Sequence, residues 1–380
     1  MIFLHTSDWH LGATEGEYDL LEDQRFFIDE ICRIIRERQV DAVLLAGDVY
    51  DRSVASASAI RLYDYAMNRI CRELGTRVLT IAGNHDSAER LSSCGQLLEK
   101  AGLYISGAAE REPKVVCFDD TEVFLLPWIT EEKVRSLYPE ERESIGSLTD
   151  AYRVVTNHMR DRFSPDKKHI VVSHAFITNS ETSTSDRAAE IGFATQVSAD
   201  VFDGFDYVAL GHLHGPQRVG IETIRYCGTP LKYSFSEKDH VKSVTVVELE
   251  EKGTVHVRTV PLTPLHDLRQ IRGRYDELTL REKYLGTAVE DYLHVVLTDE
   301  EDVPGAIGRL RSVYPNIMKL DYDNLRTRSA GVSLAQEPTS YQSEEDWFAA
   351  LYEAQNGQPM GEEQAAFCAS LLEKIREGAR

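Results

Sequence analysis

The sequence predicts an α/β protein: a large, mostly parallel sheet covered by helices, then a smaller α/β unit and a helical segment. Up to about Pro261, short apolar strands alternate with amphipathic helices. Repeated strand–helix–strand units place parallel strands side by side beneath their helices. Pro261 and Pro264 interrupt this alternation, and beyond about Arg328 the chain turns polar before two more amphipathic helices. These breaks divide the chain into its predicted parts.

The first part begins with the strand FLHTSD, a helix over about residues 19–38 and the strand VDAVLLAGD. A helix over about 55–74 leads to the third strand, RVLTIAGNHD. A helix over about 148–163 precedes two buried strands, HIVVSH and DYVALGH. The last segment, KSVTVVELEEKGTVHVRTV, alternates apolar and polar residues, which predicts an antiparallel hairpin that turns at Lys252 and Gly253.

The domain boundaries follow from the same breaks. We predict a first domain over residues 1–262 and a second over 263–330, which reads strand, helix, strand, helix, strand. A polar linker, 331–343, and a helical segment, 344–380, follow. The Ser/Thr-rich stretch 178–198 is longer than most connections, so we expect it to border a functional site; a surface insertion is the alternative.

Composition limits the function classes. A net charge of −21 argues against a free-standing nucleic-acid binder, which normally presents a basic face. If the substrate is a nucleic acid, bound metal ions or a partner chain must supply positive charge. Six cysteines lie scattered without a CxxC pair, and the first residues do not resemble a secretory signal, so we expect a cytoplasmic location. No uncharged apolar run approaches the roughly 18 residues of a membrane span.

Five of the predicted strands end in side chains of the kind that bind metals. A single residue of this kind is usually a helix cap, or a buried histidine with all of its hydrogen bonds made. That explanation would have to hold at all five strands at once. Because the carboxyl ends of strands in an open α/β sheet form the ligand-binding edge, we expect these side chains to converge. Glycine precedes three of them and permits close backbone approach. The candidate ligands are Asp8, His10, Asp48, Asn84, His174, His212 and His214.

The ligand types narrow the choice of ion. A mixed nitrogen and oxygen set without thiolate suits manganese best, and iron, zinc or magnesium are the alternatives. The same set disfavours calcium, and it disfavours a site that holds a single magnesium ion. Seven ligands are too many for one tetrahedral site, so we expect two divalent ions that share a bridging carboxylate. Two ions roughly 3.5–4 Å apart suit a phosphoryl transfer. We expect no organic cofactor.

His85, next to Asn84, is the candidate catalytic acid for the leaving oxygen. An imidazolium in that role needs a partner, and the Asp51 carboxylate is the candidate. Asp86 is the alternative partner, or it caps the helix that follows.

The ordered motifs D-x-H, GD, GNHD, H and GHxH resemble those of the calcineurin-like metallophosphoesterases over about the first 230 residues. The segments HTSDWHLG, GDVYDRS, AGNHDSAERL, SDRAAEIG, FDYVALGHLHGPQ and YCGTPLKYSFSE resemble, more narrowly, the SbcD family of nuclease subunits. That resemblance implies a two-sheet sandwich flanked by helices, a DNA-facing cap domain and a C-terminal helical segment that binds an SbcC-like SMC-type ATPase. It also implies a homodimer formed through the nuclease domain.

The resemblance also implies roles for the site residues and an activity. Asp8, His10, Asp48 and His214 would hold one metal ion, and Asp48 would bridge to a second ion. Asn84, His174 and His212 would complete that second site, with His85 as the catalytic histidine. The implied activity is cleavage of DNA as a double-strand exonuclease and as a single-strand and hairpin endonuclease, in DNA end processing, replication and recombination.

Two further residue sets are expected to make contacts. Arg269, Arg272, Arg274 and Lys283 in the cap are candidates for DNA binding, with ordinary solvated surface as the alternative. The tail forms apolar stripes that would bind the ATPase or fold back over the cap. These stripes comprise Trp347, Phe348 and Leu351, and Phe367, Leu371 and Ile375.

Other members of the superfamily offer rival functions. GDVYDRS resembles the GDxVDRG segment of protein phosphatases, but those end their third motif with Glu, where this chain has Asp86. A nucleotidase, a cyclic-nucleotide phosphodiesterase and a metal-free scaffold are the remaining alternatives.

Overall fold

The computed structural model describes residues 1–178, 180–182, 196–330, 348–349, 351–352 and 359–378. The chain divides into two compact units, residues 1–268 and 269–380. The predicted division after residue 262 and the predicted linker 331–343 stay predictions, since the linker lies outside the described residues.

The first unit alternates strands and helices, as the sequence predicts. Its strands are β1 Ile2–Thr6, β2 Thr14–Glu15, β3 Tyr18–Asp19, β4 Ala42–Leu45, β5 Arg77–Ile81, β6 Leu103–Ser106, β7 Lys114–Cys117, β8 Thr121–Leu126, β9 Lys168–His174, β10 Phe176–Ile177, β11 Gln196–Val197, β12 Tyr207–Gly211, β13 Gln217–Val219, β14 Ile221–Tyr226, β15 Ser243–Leu249 and β16 Val255–Pro261. Its helices are α1 Leu21–Arg38, α2 Ala57–Met67 (extended by a π-helical turn over Asn68–Glu73), α3 Ala88–Leu91, α4 Gly95–Leu98, α5 Glu131–Leu137 and α6 Leu148–Arg160, with short 3₁₀ turns at Glu99–Ala101, Pro139–Ser144, Ala199–Phe202 and Phe235–Glu237.

Two six-stranded sheets form the body of this unit. The first has the order β16-β15-β1-β4-β5-β6 and the second the order β13-β14-β12-β9-β8-β7. In the first sheet, β1, β4, β5 and β6 are parallel, and β15 and β16 form the predicted antiparallel hairpin. In the second, β8, β9, β12 and β14 are parallel. The two-sheet sandwich implied by the resemblance is confirmed.

Alternation along the strands separates two cores. Side chains such as Phe3, Leu44 and Leu79 cluster with Val123 and Val172 of the second sheet and fill the space between the sheets. Their neighbours on the opposite face pack beneath α1 and α2, while the outer face of the second sheet packs beneath α5 and α6. The result is a helix–sheet–sheet–helix sandwich, in which successive residues of a strand serve different layers.

One polar contact crosses the apolar core between the sheets. His5 of β1 and Tyr207 of β12 are both 0% exposed. One ring nitrogen of His5 lies 3.1 Å from the carbonyl oxygen of Leu210 and the other 2.9 Å from the Tyr207 hydroxyl. The carbonyl can only accept, so the nitrogen facing it carries the proton, and the other accepts from the hydroxyl. Burial lowers the pKa of His5 to about 3.

The second unit has its own small core. Its three-stranded sheet has the order β17-β18-β19, and β18 and β19 are parallel. Of the residues described in this unit, seven buried ones form the core, among them Leu293, Leu310 and Ile317. The predicted strand–helix–strand–helix–strand pattern is confirmed. The elements are β17 Leu268–Gly273, α7 Tyr275–Leu278, α8 Arg281–Tyr284, β18 Tyr292–Leu297, α9 Ala306–Leu310, β19 Ile317–Tyr322, α10 Leu325–Ala330 and α11 Glu362–Gly378. No helix within the described part of the chain is both long and apolar enough to cross a bilayer.

The buried imidazole of His5 predicts an acid-sensitive fold. The His5 ring is protonated near pH 6.5 in the unfolded chain, whereas burial prevents its protonation in the folded chain until a much lower pH. The contribution of His5 to the free energy of unfolding is therefore fully present above pH 6.5 and is lost as the pH falls below it. Between pH 7.5 and 5 this one residue should cost about 2 kcal/mol of unfolding free energy. Urea unfolding at both pH values, with a metal chelator present, should show a pH dependence smaller by that amount in His5→Gln. His256→Gln, an exposed strand histidine, is the control. An unchanged pH dependence in His5→Gln would contradict the assignment.

Candidate active site

The polar side chains that follow the parallel strands of both sheets converge at one edge of the sandwich. Both carboxylate oxygens of Asp8, after β1, accept hydrogen bonds from the backbone N–H of His212, after β12, at 3.0 and 3.2 Å. The side-chain oxygen of Asn84, after β5, lies 2.9 Å from His174 Nε2 and 3.1 Å from His212 Nδ1. The rings of His10 and His214 lie 5.2 Å apart. The structure therefore brings all seven predicted ligands together.

The backbone at this edge is held in an unusual conformation. Among the described residues, six other than glycine have a positive φ, and four of them are predicted ligands. Left-handed backbone costs free energy at such residues and persists when the surrounding contacts impose it. Gln24, for example, donates to the carbonyl of His10 at 2.8 Å and accepts from the N–H of Gly12 at 2.9 Å. The four ligands are Asp8 (φ 52°), His10 (φ 43°), Asp48 (φ 48°) and His212 (φ 105°).

At the three glycines that precede predicted ligands, any side chain would clash with neighbouring atoms. A Cβ on Gly83 would lie 2.1 Å from Asp48 Oδ1, and one on Gly211 would lie 1.9 Å from the carbonyl oxygen of Ala46. A Cβ on Gly47 would lie 2.4 Å from His174 Nδ1. The predicted close backbone approach is thus observed at all three positions.

Asp48 lies at the centre of the cluster. It belongs to both groups of potential metal ligands found in the described part of the chain, one with His10 and His85 and one with Asp8 and His174. Its Oδ1 accepts a hydrogen bond from the backbone N–H of His85 at 2.9 Å. Its Oδ2 lies 3.4 Å from His174 Nε2 and 3.8 Å from His10 Nε2. A carboxylate shared by two ligand groups is the arrangement that a bridge between two ions requires.

Hydrogen bonding determines which nitrogen of His174 faces the cluster. Its Nδ1 lies 2.9 Å from the carbonyl oxygen of Ala46. A carbonyl only accepts, so Nδ1 carries the proton and Nε2 is directed to Asn84 and Asp48. A backbone partner on the remote nitrogen is the usual way in which proteins orient a metal-binding imidazole.

The electrostatics of this site favour the binding of cations. Burial disfavours a charged His174, but the nearby Asp48 carboxylate outweighs it and raises the pKa of His174 to about 9. Burial would likewise raise the pKa of Asp48, but the His174 charge holds that pKa well below its usual range. Burial lowers the pKa values of His10 and His212 to about 3, so both rings are neutral donors. The ionised Asp48 carboxylate near the neutral rings of His10 and His212 suits a divalent ion, which would take the place of the proton on His174.

His10 supplies a direct test of whether these residues fit a metal. Its side chain is buried, and neither ring nitrogen has a hydrogen-bond partner among the described residues. Two such nitrogens without a partner are costly in a folded protein. The nearest charged atoms are Asp48 Oδ2, 3.8 Å from Nε2, and Asp51 Oδ1, 3.9 Å from Nδ1. A metal ion beside His10 would give one of these nitrogens a partner, and the donor set fits a metal ion.

The contacts of His85 differ from those predicted. Its Nδ1 lies 2.9 Å from the backbone carbonyl oxygen of Asp51, whereas the Asp51 carboxylate lies beside His10 and Arg52. Asp86 is not the partner either, because its carboxylate accepts backbone N–H bonds from Val49, Tyr50 and Gly83 at 2.9–3.0 Å.

Asp86 explains this arrangement. Its three hydrogen bonds join the loop after β4 to the loop after β5. That connection places main chain, and not a side chain, against the ring of His85. Asp86 is therefore neither a carboxylate partner for His85 nor a helix cap.

Several supporting residues were not evident from the sequence. Glu237 is completely buried and lies 3.0 Å from His214 Nδ1. Gln24 and the Tyr233 hydroxyl both contact the carbonyl of Trp9 and so hold the first ligand loop. Tyr233 and Glu237 lie within the segment YCGTPLKYSFSE, which carries part of the family resemblance, but only the fold shows what they touch.

The remaining predicted contact residues lie in the second unit. Arg269 pairs with Asp291 at 2.6 Å, and Arg272 pairs with Asp323, so carboxylates already compensate both charges. The side chains of Phe348, Leu351, Phe367 and Leu371 are 40–68% exposed, whereas Trp347 lies outside the described residues, as does the side chain of Ile375. Arg274 and Lys283 are exposed. Most of the stretch 178–198 also lies outside the described residues.

Comparison with known proteins identifies the family. A model described as calcineurin-like phosphoesterase matches residues 1–216, and one described as the type 5 capsule protein repressor C-terminal domain matches residues 264–356. The SbcD subunit of the nuclease SbcCD from Staphylococcus epidermidis is 32% identical over 320 residues, 84% of this chain and 85% of that protein. Its counterpart from Staphylococcus saprophyticus is 31% identical over 320 residues, 84% of each chain. A solved dimetal phosphatase from Danio rerio, 12% identical over 69% of this chain and 99% of its own, has a TM-score of 0.41, too low to add to the assignment.

The chain therefore belongs to the calcineurin-like phosphoesterase family. Within it, the chain groups with the SbcD subunits of SbcCD nucleases, which confirms the narrower resemblance seen in its sequence. Membership also confirms the predicted enzyme class, a hydrolase of phosphate esters, and implies that divalent metal ions bind at the site.

The shared position of Asp48 predicts how metal content responds to substitution. Asp48→Ala should lose both ions, whereas His10→Ala should lose mainly one, because Asp48 alone belongs to both ligand groups. Metal analysis after manganese loading and desalting measures this directly. Asp206→Ala removes a carboxylate that accepts from the backbone N–H of His169 and Gly253 and serves as the control. Two ions retained per chain in Asp48→Ala would refute the bridge.

Proposed function

We propose that this protein is a metal-dependent DNA nuclease that hydrolyses phosphodiester bonds with two divalent ions, most suitably manganese. It acts as an exonuclease on double-stranded DNA and as an endonuclease on single strands and hairpins, together with an SbcC-like ATPase. The observation that carries the proposal is the carboxylate of Asp48, which belongs to two ligand groups at once. The relatives at 31–32% identity are named as nuclease subunits, which supports a nucleic acid as the substrate, and the family resemblance of the sequence implies that this nucleic acid is DNA.

Two sets of residues would hold the ions. Asp8, His10, Asp48 and His214 form one set, and Asp48 with Asn84, His174 and His212 forms the other. When bound, the ions supply a hydroxide near neutral pH and positive charge beside the phosphate. The chain's own part is to orient the ligands: the Ala46 carbonyl fixes the ring of His174, and the N–H of His212 fixes the Asp8 carboxylate.

His85 would deliver the proton that the leaving oxygen needs. Its Nδ1–H donates to the carbonyl of Asp51, so a second proton, on Nε2, is the one available for transfer. A carbonyl partner stabilises the ring in either charge state, since Nδ1 remains a donor throughout. The backbone N–H of His85 donates to Asp48, which ties the acid to the metal-binding carboxylate.

A phosphatase or nucleotide phosphodiesterase of the same family is the alternative, because the site by itself does not select the ester. A nucleic acid is favoured by the second unit, which a phosphomonoesterase does not need, and by the relatives' names as nuclease subunits. The charge of −21 then implies that bound metal ions and the partner ATPase supply most of the positive charge around the DNA. Since Arg269 and Arg272 already pair with carboxylates, they are weaker candidates than Arg274 and Lys283.

The tail is the proposed binding site for the ATPase. Phe348 and Tyr352 line one groove with Phe367 and Leu371 of α11, so the two helical segments present a common apolar surface. Exposed apolar surface of this kind usually meets a partner. A homodimer through the first unit, which the family resemblance implies, is also part of the proposal.

Replacing His85 tests the reaction. His85→Asn should keep two ions bound but slow cleavage of linear and hairpin DNA by a factor of order 100 to 10,000, because the leaving oxygen loses its acid. His158→Asn, which removes an imidazole paired with Glu141, is the control. Wild-type turnover in His85→Asn, with metal content verified, would refute the role. Hydrolysis of a phosphomonoester without cleavage of DNA by the wild-type protein would favour the phosphatase.

The tail proposal predicts a separation of activities. Leu371→Glu places a charge in the apolar groove and should weaken binding to the SbcC-like ATPase at least tenfold while leaving metal-dependent cleavage intact. Ser370→Glu introduces the same charge on the same helix outside the groove lining. Pull-down and nuclease assays on both variants measure the two effects. Equal ATPase binding by Leu371→Glu and Ser370→Glu would count against the groove.

A further inference from the structure

A buried ion pair lies directly behind one of the predicted metal ligands. Glu237, in the 3₁₀ turn Phe235–Glu237, is 0% exposed. Its Oε1 lies 3.0 Å from His214 Nδ1, and its Oε2 lies 2.6 Å from Lys242 Nζ. The carboxylate thus contacts a ligand imidazole with one oxygen and an ammonium group with the other.

Lys242 holds the same histidine from a second direction. Its Nζ donates to the backbone carbonyl of His214 at 2.9 Å and to the hydroxyl of Thr229 at 2.6 Å. With the contact to Glu237, its three donors all have partners. The ammonium group of Lys242, 2.6 Å from Oε2, compensates the charge of the buried carboxylate. The carboxylate is therefore an acceptor toward both of its partners.

The contact determines the tautomer of His214. A carboxylate only accepts, so Nδ1 of His214 carries the proton and Nε2 keeps its lone pair. Two of the other histidine ligands differ: His174 donates to a neutral carbonyl, and neither ring nitrogen of His10 has a hydrogen-bond partner among the described residues. A charged partner on the remote nitrogen increases the basicity of the ligating one.

We propose that Glu237 and Lys242 form a positioning pair that fixes the ring orientation and tautomer of His214 and strengthens it as a metal ligand. The proposal rests on the two-metal site of the proposed function. It adds that the two metal sites depend on different supporting residues. The ion held with His10 and His214 depends on this pair, whereas the ion held with His174 and His212 does not.

A purely structural role is the competing explanation, because Lys242 also joins Thr229 to the chain around His214. Such a role would change the stability of the fold, or both metal sites together. A positioning role changes one metal site. The chain provides a matched control in a second buried pair: Glu122 Oε2 lies 3.4 Å from His169 Nε2. His169 lies five residues before His174 on β9, roughly 16 Å away along the strand.

The test is a titration of the metal-stripped full-length protein with Mn²⁺ alone. Glu237→Gln keeps the shape of the side chain but removes the charge, and should weaken one of two Mn²⁺ sites about 10- to 100-fold while the other is unchanged. Glu237→Gln combined with Lys242→Met should show the same selective loss without an unpaired lysine. Glu122→Gln should leave both sites at their wild-type affinity.

Three results would overturn the proposal: unchanged affinities in Glu237→Gln, equal weakening of both sites, or the same loss in Glu122→Gln. A wild-type protein that binds fewer than two Mn²⁺ ions would instead refute the two-metal site itself. Nitrogen NMR of the folded wild-type protein decides the matter if the variants do not fold. A proton on Nδ1 of His214 with Nε2 unprotonated supports the pair, and a proton on Nε2 contradicts it.

Discussion

The contact between the Asp8 carboxylate and the backbone N–H of His212 is the constraint on which the site depends. It joins the loop after β1 in the first sheet to the loop after β12 in the second, at 3.0 and 3.2 Å. Each sheet by itself would carry only part of the ligand set. Because the two sheets are packed face to face, their carboxyl ends form one edge, and a buried charge-assisted hydrogen bond fixes their separation there. The positions of Asn84 and His174 follow from that separation.

Holding this edge together costs the protein local stability. Positive φ angles at Asp8, His10 and Asp48, and a buried His10 ring without hydrogen-bond partners among the described residues, are unfavourable by themselves. The surrounding structure offsets them with Gln24 beneath the first loop and Asp86 between the next two. Strained backbone beside ring nitrogens that have no hydrogen-bond partner among the described residues is typical of a site that binds an ion. Metal binding should therefore contribute to stability as well as to chemistry.

The remote ring nitrogens of the site histidines meet different kinds of acceptor. His174 and His85 both donate to backbone carbonyls, of Ala46 and Asp51, whereas His214 donates to the Glu237 carboxylate. A carbonyl fixes the orientation of a ring without adding a charge, which suits both the proposed ligand His174 and the proposed acid His85. An ionised carboxylate also strengthens the opposite nitrogen as a ligand. The carboxylate behind His214 thus distinguishes this ring from His174 and His85, which both have carbonyls behind them.

The sequence by itself predicted the main strands and helices in order, the two-sheet class through its family resemblance, and the seven candidate ligands with His85. Each of these residues lies in a short motif directly after an apolar strand. The sequence also indicated the glycines, since close approach at a strand end leaves no room for a Cβ. Only the tertiary structure decided the partners of those residues. The carbonyl of Asp51, the carboxylates of Asp86 and Glu237 and the amide of Gln24 make contacts that depend on how loops distant in sequence meet. Contacts to backbone carbonyls and buried ion pairs leave no local pattern in the sequence. Their energy depends on the distance between the two partners, and tertiary packing alone sets that distance.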